Sequence, residues 1–218
     1  MEYIIFKEKR IKIQNNALSL SYKSITDIHE IKGLENLINL KNLNLSSNNI
    51  CEITCLESLK ELEWLDLSHN KISIIEGLDS LINLKTLNLY SNQITEINGL
   101  DNLVNLRNLS LYNNKISEIK DLDNLINLER LYLGSNNIKE INGFENLVNL
   151  KSLYLSSNKI NGIRGLENLK NLKTIDLSSN LIPEIIFKEL GGANTHDEEG
   201  ICYFAQKYVD YCRQKKEM

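Results

Sequence analysis

Long apolar runs are missing from this sequence. The N-terminal one, Tyr3-Ile4-Ile5-Phe6, is followed at once by Lys7, Lys9 and Arg10. It is too short for the apolar region of an export signal and far short of a membrane span. A cytoplasmic protein with no membrane partner is expected. Metal-ligand spacing is missing as well: Cys51, Cys55, Cys202 and Cys212 form no Cys-x-x-Cys pair, and the three histidines stand far apart. No metal is expected. The thiols read as reduced and structural, with a disulfide or a zinc site as the alternative. There is no basic excess, with 25 Lys and Arg against 29 Asp and Glu and a net charge of −4. Nucleic acid, which needs a basic stripe, is therefore not expected.

Catalytic motifs are absent too. The chain holds no Gly-rich phosphate loop, no Gly-x-Ser-x-Gly and no His-Glu-x-x-His. His196-Asp197-Glu198-Glu199 gathers ionisable groups without a nucleophile or metal motif beside them, and reads as a solvated turn. Neither enzymatic activity nor a cofactor is expected. What remains, 42% hydrophobic and 25% charged residues, is the composition of a chain that buries a core.

Self-similarity dominates what is present. Asn48, Asn70, Asn92, Asn114, Asn136, Asn158 and Asn180 recur every 22 residues. Each stands in the frame L-x-x-L-x-L-x-x-N-x-I-x-x-I-x-x-L-x-x-L, with Phe144 and Ile175 as apolar substitutes and the last frame breaking off at Lys188. The alternation in L-x-L marks a strand. After the asparagine the apolar spacing becomes three, as in Ile50, Ile53, Leu56, Leu59 and Leu62, which suits a 3₁₀-like or helical return. One coil cannot bury its own apolar side, so coils must stack around a continuous core. The asparagines lie amid apolar side chains where each strand turns. A buried amide must be hydrogen-bonded, so these seven are read as a structural ladder bridging backbone groups of adjacent coils.

On that core and on the recurring G-L-[DE]-[NS]-L segment, as in Gly77-Leu78-Asp79-Ser80-Leu81, the chain resembles the leucine-rich repeat family over roughly residues 18–185. Its pattern is nearest the 22-residue subclass found in internalins and in the leucine-rich regulator of protein phosphatase 1. The resemblance implies an α/β fold: a right-handed curved solenoid with a parallel sheet on its concave face and short 3₁₀ or helical returns on its convex face. A shorter segment, Ala205 to Arg213, resembles tails of archaeal proteins of the Asgard type.

Both ends of a solenoid need caps. Residues 1–31 read as an N-terminal cap, strand-like where Ile11-Lys12-Ile13 and Leu18-Ser19-Leu20 alternate, with Thr26 at the asparagine position. Residues 32–182 are the repeats, and 183–218 a helical C-terminal cap continuous with them. Pro183, the only proline, suits the first turn of a helix. That helix is expected to run to Leu190 and stop at Gly191-Gly192. After a polar loop, residues 201–216 read as an amphipathic helix with Tyr203, Phe204, Tyr208 and Tyr211 as cap residues.

The outward strand positions are free of core duty, and most carry small polar residues. Against that background stand Trp64, Tyr90, Tyr112, Arg130, Tyr132 and Tyr154, types that dominate binding hot spots; Asp66 and His69 lie beside them. With strands about 4.8 Å apart, these residues form one band over adjacent coils. The competing reading is a tyrosine ladder that only stabilises the sheet. An acidic column on the outer side, Glu35, Glu57, Asp79, Asp101, Asp123, Glu145 and Glu167, is expected to cap the amides of the returns. The whole points to a non-enzymatic module, monomeric by itself, that binds a protein partner on its concave face. The family resemblance adds a narrower alternative, a regulatory subunit of a protein phosphatase or small GTPase system.

Overall fold

Each L-x-L becomes a strand of three residues. A computed structural model describes residues 3–190, 201–202 and 205–216. In it β4 (Asn42–Asn44), β5 (Trp64–Asp66), β6 (Thr86–Asn88), β7 (Asn108–Ser110), β8 (Arg130–Tyr132), β9 (Ser152–Tyr154) and β10 (Thr174–Asp176) follow β3 (Ala17–Ser19) side by side in chain order. All eight are parallel, and from β4 onward they keep the 22-residue register, Leu65 opposite Leu87 and Leu87 opposite Leu109. Every leucine and isoleucine at a frame position, from Leu43 to Leu172, lies between this sheet and the returns, almost wholly removed from water. The architecture is the expected leucine-rich repeat solenoid.

The three-residue apolar spacing becomes consecutive turns. Leu59 N–H donates to the Leu56 carbonyl and Leu62 N–H to the Leu59 carbonyl, both at 3.0 Å, and the same pair of bonds recurs coil after coil. Among the described residues, only Ile28–Glu30 and Leu34–Asn36 tighten into 3₁₀ helix. At Gly99 the backbone is left-handed (φ +62°), and a Cβ would stand 2.4 Å from the Ile75 carbonyl oxygen of the preceding coil. Both the turn and the close approach select glycine there.

Two asparagine columns tie the coils together. Asn114 Oδ1 accepts from Ile94 N–H (3.0 Å), while its Nδ2 donates to the carbonyls of Leu89 (3.0 Å) and Leu111 (3.1 Å). The equivalent bonds are made by Asn70, Asn92, Asn136, Asn158 and Asn180. Asn48 accepts from both Lys23 and Ile25 N–H. The second column is on the return side. Asn83, Asn105, Asn127, Asn149 and Asn171 each donate to the carbonyl 23 residues earlier, at 2.8–3.0 Å. Its sequence signal, the asparagine of L-[IV]-N-L and L-K-N-L, has the same period as the first column.

The acidic column divides between its own return and the next coil: Glu167 accepts backbone amides of Gly165 and of itself, as a cap would. Glu35 likewise accepts from Gly33 N–H at 3.2 Å. Asp79 and Asp123 instead accept the side-chain amides of Asn102 and Asn146 in the following coil.

The first coil is longer than the frame implies. β3 pairs with β4 at a 25-residue offset, Leu18 opposite Leu43. Lys23, not Thr26, therefore takes the asparagine position. The three extra residues form one more turn of the return, Ile28–Glu30, closed by a capping box of Asp27 and Glu30. Outside the main sheet, β1 (Tyr3–Phe6) and β2 (Lys9–Lys12) form an antiparallel hairpin. It lays Ile4 and Phe6 on the end of the core and bridges to Lys32 through Ile5.

At the other end, α1 (Glu184–Glu189) follows Pro183, which sits at its N-cap. A helix from residue 201 is not what forms. Ile201–Cys202 is β11, antiparallel to β10, and α2 spans Gln206–Lys216. The last strand of a solenoid exposes unpaired backbone groups, and a short extended segment covers that edge before the helix begins. Gln206 Nε2 then donates to the carbonyls of Leu169 (3.2 Å) and Leu172 (2.8 Å), and Arg213 Nε to that of Glu167 (3.0 Å). Tyr208 is fully buried and Tyr211 partly so. Gly191-Gly192, the loop with His196-Asp197-Glu198-Glu199, and Tyr203 and Phe204 lie outside the described residues.

Candidate interaction surface

The open face of the sheet is built from the alternate strand positions and the two residues that follow each strand. The third of these columns contains Tyr90, Tyr112 and Gly134; the second contains Asp66, Asn88, Ser110, Tyr132 and Tyr154. Much of the second column has a backbone task. Asn44, Asp66, Asn88 and Asp176 each accept, through Oδ1, the N–H two residues on, at 2.8–3.1 Å. One carboxylate oxygen of Asp66 is thus held by Ser68 N–H. Coils with Ser110, Tyr132 and Tyr154 lack this turn-forming side chain, and the tyrosines stand free of it.

The aromatic residues form two groups rather than one band. His69 meets Tyr90 edge-on at 4.7 Å, and Tyr90 meets Tyr112 at 5.5 Å with the rings tilted by 48°. Tyr132 and Tyr154 are parallel within 2° and 4.7 Å apart. Among the described residues no ring contact joins Tyr112 to Tyr132. Tyr112 leans across the neighbouring strand instead, over Gly134, where a Cβ would stand 2.7 Å from its Cε2. Gly134 is the only glycine in these columns; that singularity was the available sequence signal.

A shallow groove of about 340 Å³ lies between Trp64 and Tyr90 on one side and Tyr132 on the other, floored by Thr86, Asn88, Asn108 and Ser110. These four floor residues were not singled out by sequence, because small polar residues are the background of every column. Arg130 is exposed above the floor and donates to Asn108 Oδ1 at 3.1 Å. Burial raises the Tyr132 hydroxyl above its ordinary value, helped by Tyr154 and opposed by Arg130; it stays a neutral donor. His69 is exposed with φ 54°. All seven residues of its column share that left-handed backbone, which histidine and asparagine adopt more readily than most side chains.

Charge lines both edges of the sheet. Immediately before the strands run Lys41, Glu63, Lys85, Arg107, Glu129, Lys151 and Lys173. Glu63 sits between Lys85 (2.6 Å) and Lys41 (2.9 Å), whose hydrogen bonds hold its carboxyl down at about 2. Glu129 is held below the ordinary carboxylate value by Lys151 (2.8 Å), with Arg107 at 3.8 Å. Immediately after the ladder asparagines the other edge carries Lys71, Lys115 and Lys159 and no acid. Among the described residues no group of three His, Cys, Asp or Glu side chains is placed to hold a metal ion. Nor is any helix long and apolar enough to cross a membrane.

Comparison with known proteins agrees with this geometry. The family model described as Leucine Rich repeats (2 copies) matches residues 60–102, 104–146 and 148–189, and that described as Leucine rich repeat matches residues 16–72. No curated protein matches in sequence. Among solved structures, internalin C2 of Listeria monocytogenes is 34% identical with a TM-score of 0.71, over 78% of this chain and 74% of that one. Internalin InlF of the same organism is 32% identical with a TM-score of 0.68, over 78% of this chain and 49% of InlF. TLR13, solved as a complex with the RNA ssRNA13, is 31% identical with a TM-score of 0.65, over 69% of this chain and 23% of its own. The chain thus spans about half of InlF and less than a quarter of TLR13. With family models matching nearly every coil, the chain belongs to the leucine-rich repeat family.

Proposed function

We propose that the chain is a non-enzymatic protein-interaction module whose partner docks on the concave, open face of the sheet over Trp64, Tyr90, Tyr112, Arg130, Tyr132 and Tyr154. The observation that carries this reading is the concentration of half-buried aromatic side chains on a rigid sheet otherwise lined with serine and asparagine. Rings held in place by neighbours lose little conformational entropy on binding. Tyrosine supplies apolar area together with a hydroxyl, and Arg130, tied only to a neutral amide, keeps donors for a partner carboxylate.

The test is affinity purification with mass spectrometry of the native chain against Tyr112→Ala/Tyr132→Ala, with Asp123→Ala on the outer side as control. Loss of a true hot spot costs at least about 2 kcal/mol, or roughly thirty-fold in affinity, so the double variant should lose its partner while the control keeps it. The reverse result would place the working surface on the convex side.

A further inference from the structure

Charge is segregated in this solenoid. The chain as a whole is acidic at −4, yet the edges of the open face are cationic. Seven acids stand in one column of the return side alone. Before the strands, the two acids, Glu63 and Glu129, are each clamped between two cations. The position directly after the ladder asparagines carries lysine and no acid, while Glu52, Glu96, Glu118 and Glu140 follow three residues further on. Lys115 and Lys159 donate only to the neutral Gln93 and Asn137. Neither Lys71 nor Arg130 has a carboxylate partner among the described residues.

The spacing of that lysine edge is regular. Lys71, Lys115 and Lys159 occupy every second coil, so with strands about 4.8 Å apart they recur about every 9.6 Å. An extended chain of polyproline type presents the same side every third residue, about 9.3 Å. A β-strand repeats its side at about 6.6 Å, which does not match. Such left-handed extended segments are the kind that aromatic-lined grooves take, and Tyr90 and Tyr112 lie between the groove and this edge.

Resting on the concave-face reading above, we infer that the partner segment is an acidic polypeptide in extended, polyproline-like conformation, with carboxylates at every third residue meeting Lys71, Lys115 and Lys159. A single-stranded nucleic acid fits less well. Base stacking needs free ring faces, and Tyr132 and Tyr154 already cover one face of each other.

The experiment is fluorescence anisotropy on the full chain with three labelled probes: a repeating Glu-Pro-Pro peptide, a repeating Gln-Pro-Pro peptide and oligouridylate RNA. The acidic peptide should bind at least about ten-fold tighter than the neutral one, as complementary edge charges predict, and lose that advantage in high salt. Lys71→Glu/Lys115→Glu/Lys159→Glu should abolish the preference, and these exposed positions leave the core untouched. Equal binding of the two peptides, indifference to the triple reversal, or tighter binding of the RNA each overturns the inference. Tyr112→Ala/Tyr132→Ala separates the two readings. If it weakens both peptides while the lysine reversal does nothing, the concave face stands and the acidic partner falls. If it changes nothing, the concave-face reading itself fails.

Discussion

Tyr112 lies over Gly134, close enough that a Cβ at position 134 would stand 2.7 Å from Tyr112 Cε2 and 2.8 Å from Cδ2. A residue without a side chain in one coil thereby sets the posture of an aromatic ring in the coil before it. The ring also lies 5.5 Å from that of Tyr90, while no ring contact joins it to Tyr132 among the described residues, so the aromatic residues fall into two groups. Gly134→Ser installs the residue found at the neighbouring Ser156 and needs no left-handed backbone. Its melting temperature should stay within about 2 °C of the parent. The Tyr112 ring must move, so its NMR ring signals should shift and partner affinity should fall about ten-fold. Unshifted Tyr112 signals would contradict the contact.

Asn114→Ala removes one amide from the buried ladder and leaves Ile94 N–H and the Leu89 carbonyl without that partner. Stability should fall by about 1–3 kcal/mol, read from urea denaturation, with affinity for a concave-face partner unchanged. An unaltered denaturation midpoint would mean that water replaces the amide at no cost.

The C-terminal segment should act as a structural lid. Deleting residues 201–218 uncovers the β10 edge and the carbonyls that Gln206 and Arg213 now occupy, and it removes the buried Tyr208 and Val209. The truncated chain should aggregate on size-exclusion chromatography. Gln206→Ala alone should cost about 1 kcal/mol. A monomeric truncation with unchanged unfolding cooperativity would free the segment for another role.

Glu63 gives the fold a measurable acid dependence. Its carboxyl is lowered from the ordinary 4.5 to about 2 by Lys85 and Lys41, so the unfolded chain binds the proton first as pH falls. The bridge contributes fully above pH 4.5 and is lost as pH falls toward 2. The pair is exposed and salt-screened, so the effect should be small. Glu63→Gln should flatten the fall of melting temperature between pH 4.5 and pH 2 relative to the parent. Parallel curves would show that the bridge contributes nothing.

The repeat made most of the fold legible. A 22-residue frame with alternating, then three-spaced, apolar residues leaves one way to bury them, and the strands fall at the L-x-L segments it marks. The second asparagine column has the same period, but its side-chain bonds are exposed, with no burial that would demand a partner. The first coil escaped the frame because an extra three-residue turn preserves the apolar spacing; Ile25, Ile28, Ile31, Leu34, Leu37 and Leu40 read identically with or without it. β11 was hidden because its two residues take their conformation from the open edge of β10, a partner distant in sequence.

Sequence by itself determined the period, the core and the residue types on the open face, because these depend on a pattern repeated locally in every coil. The arrangement of those residues depended on the tertiary structure. Tyr112 leans over Gly134 and Tyr132 stacks on Tyr154. The lysines at the edges gather into one cationic frame around an acidic protein. The ring contacts and the frame join residues 21 or more positions apart, and only the stacking of coils brings such residues within reach of each other.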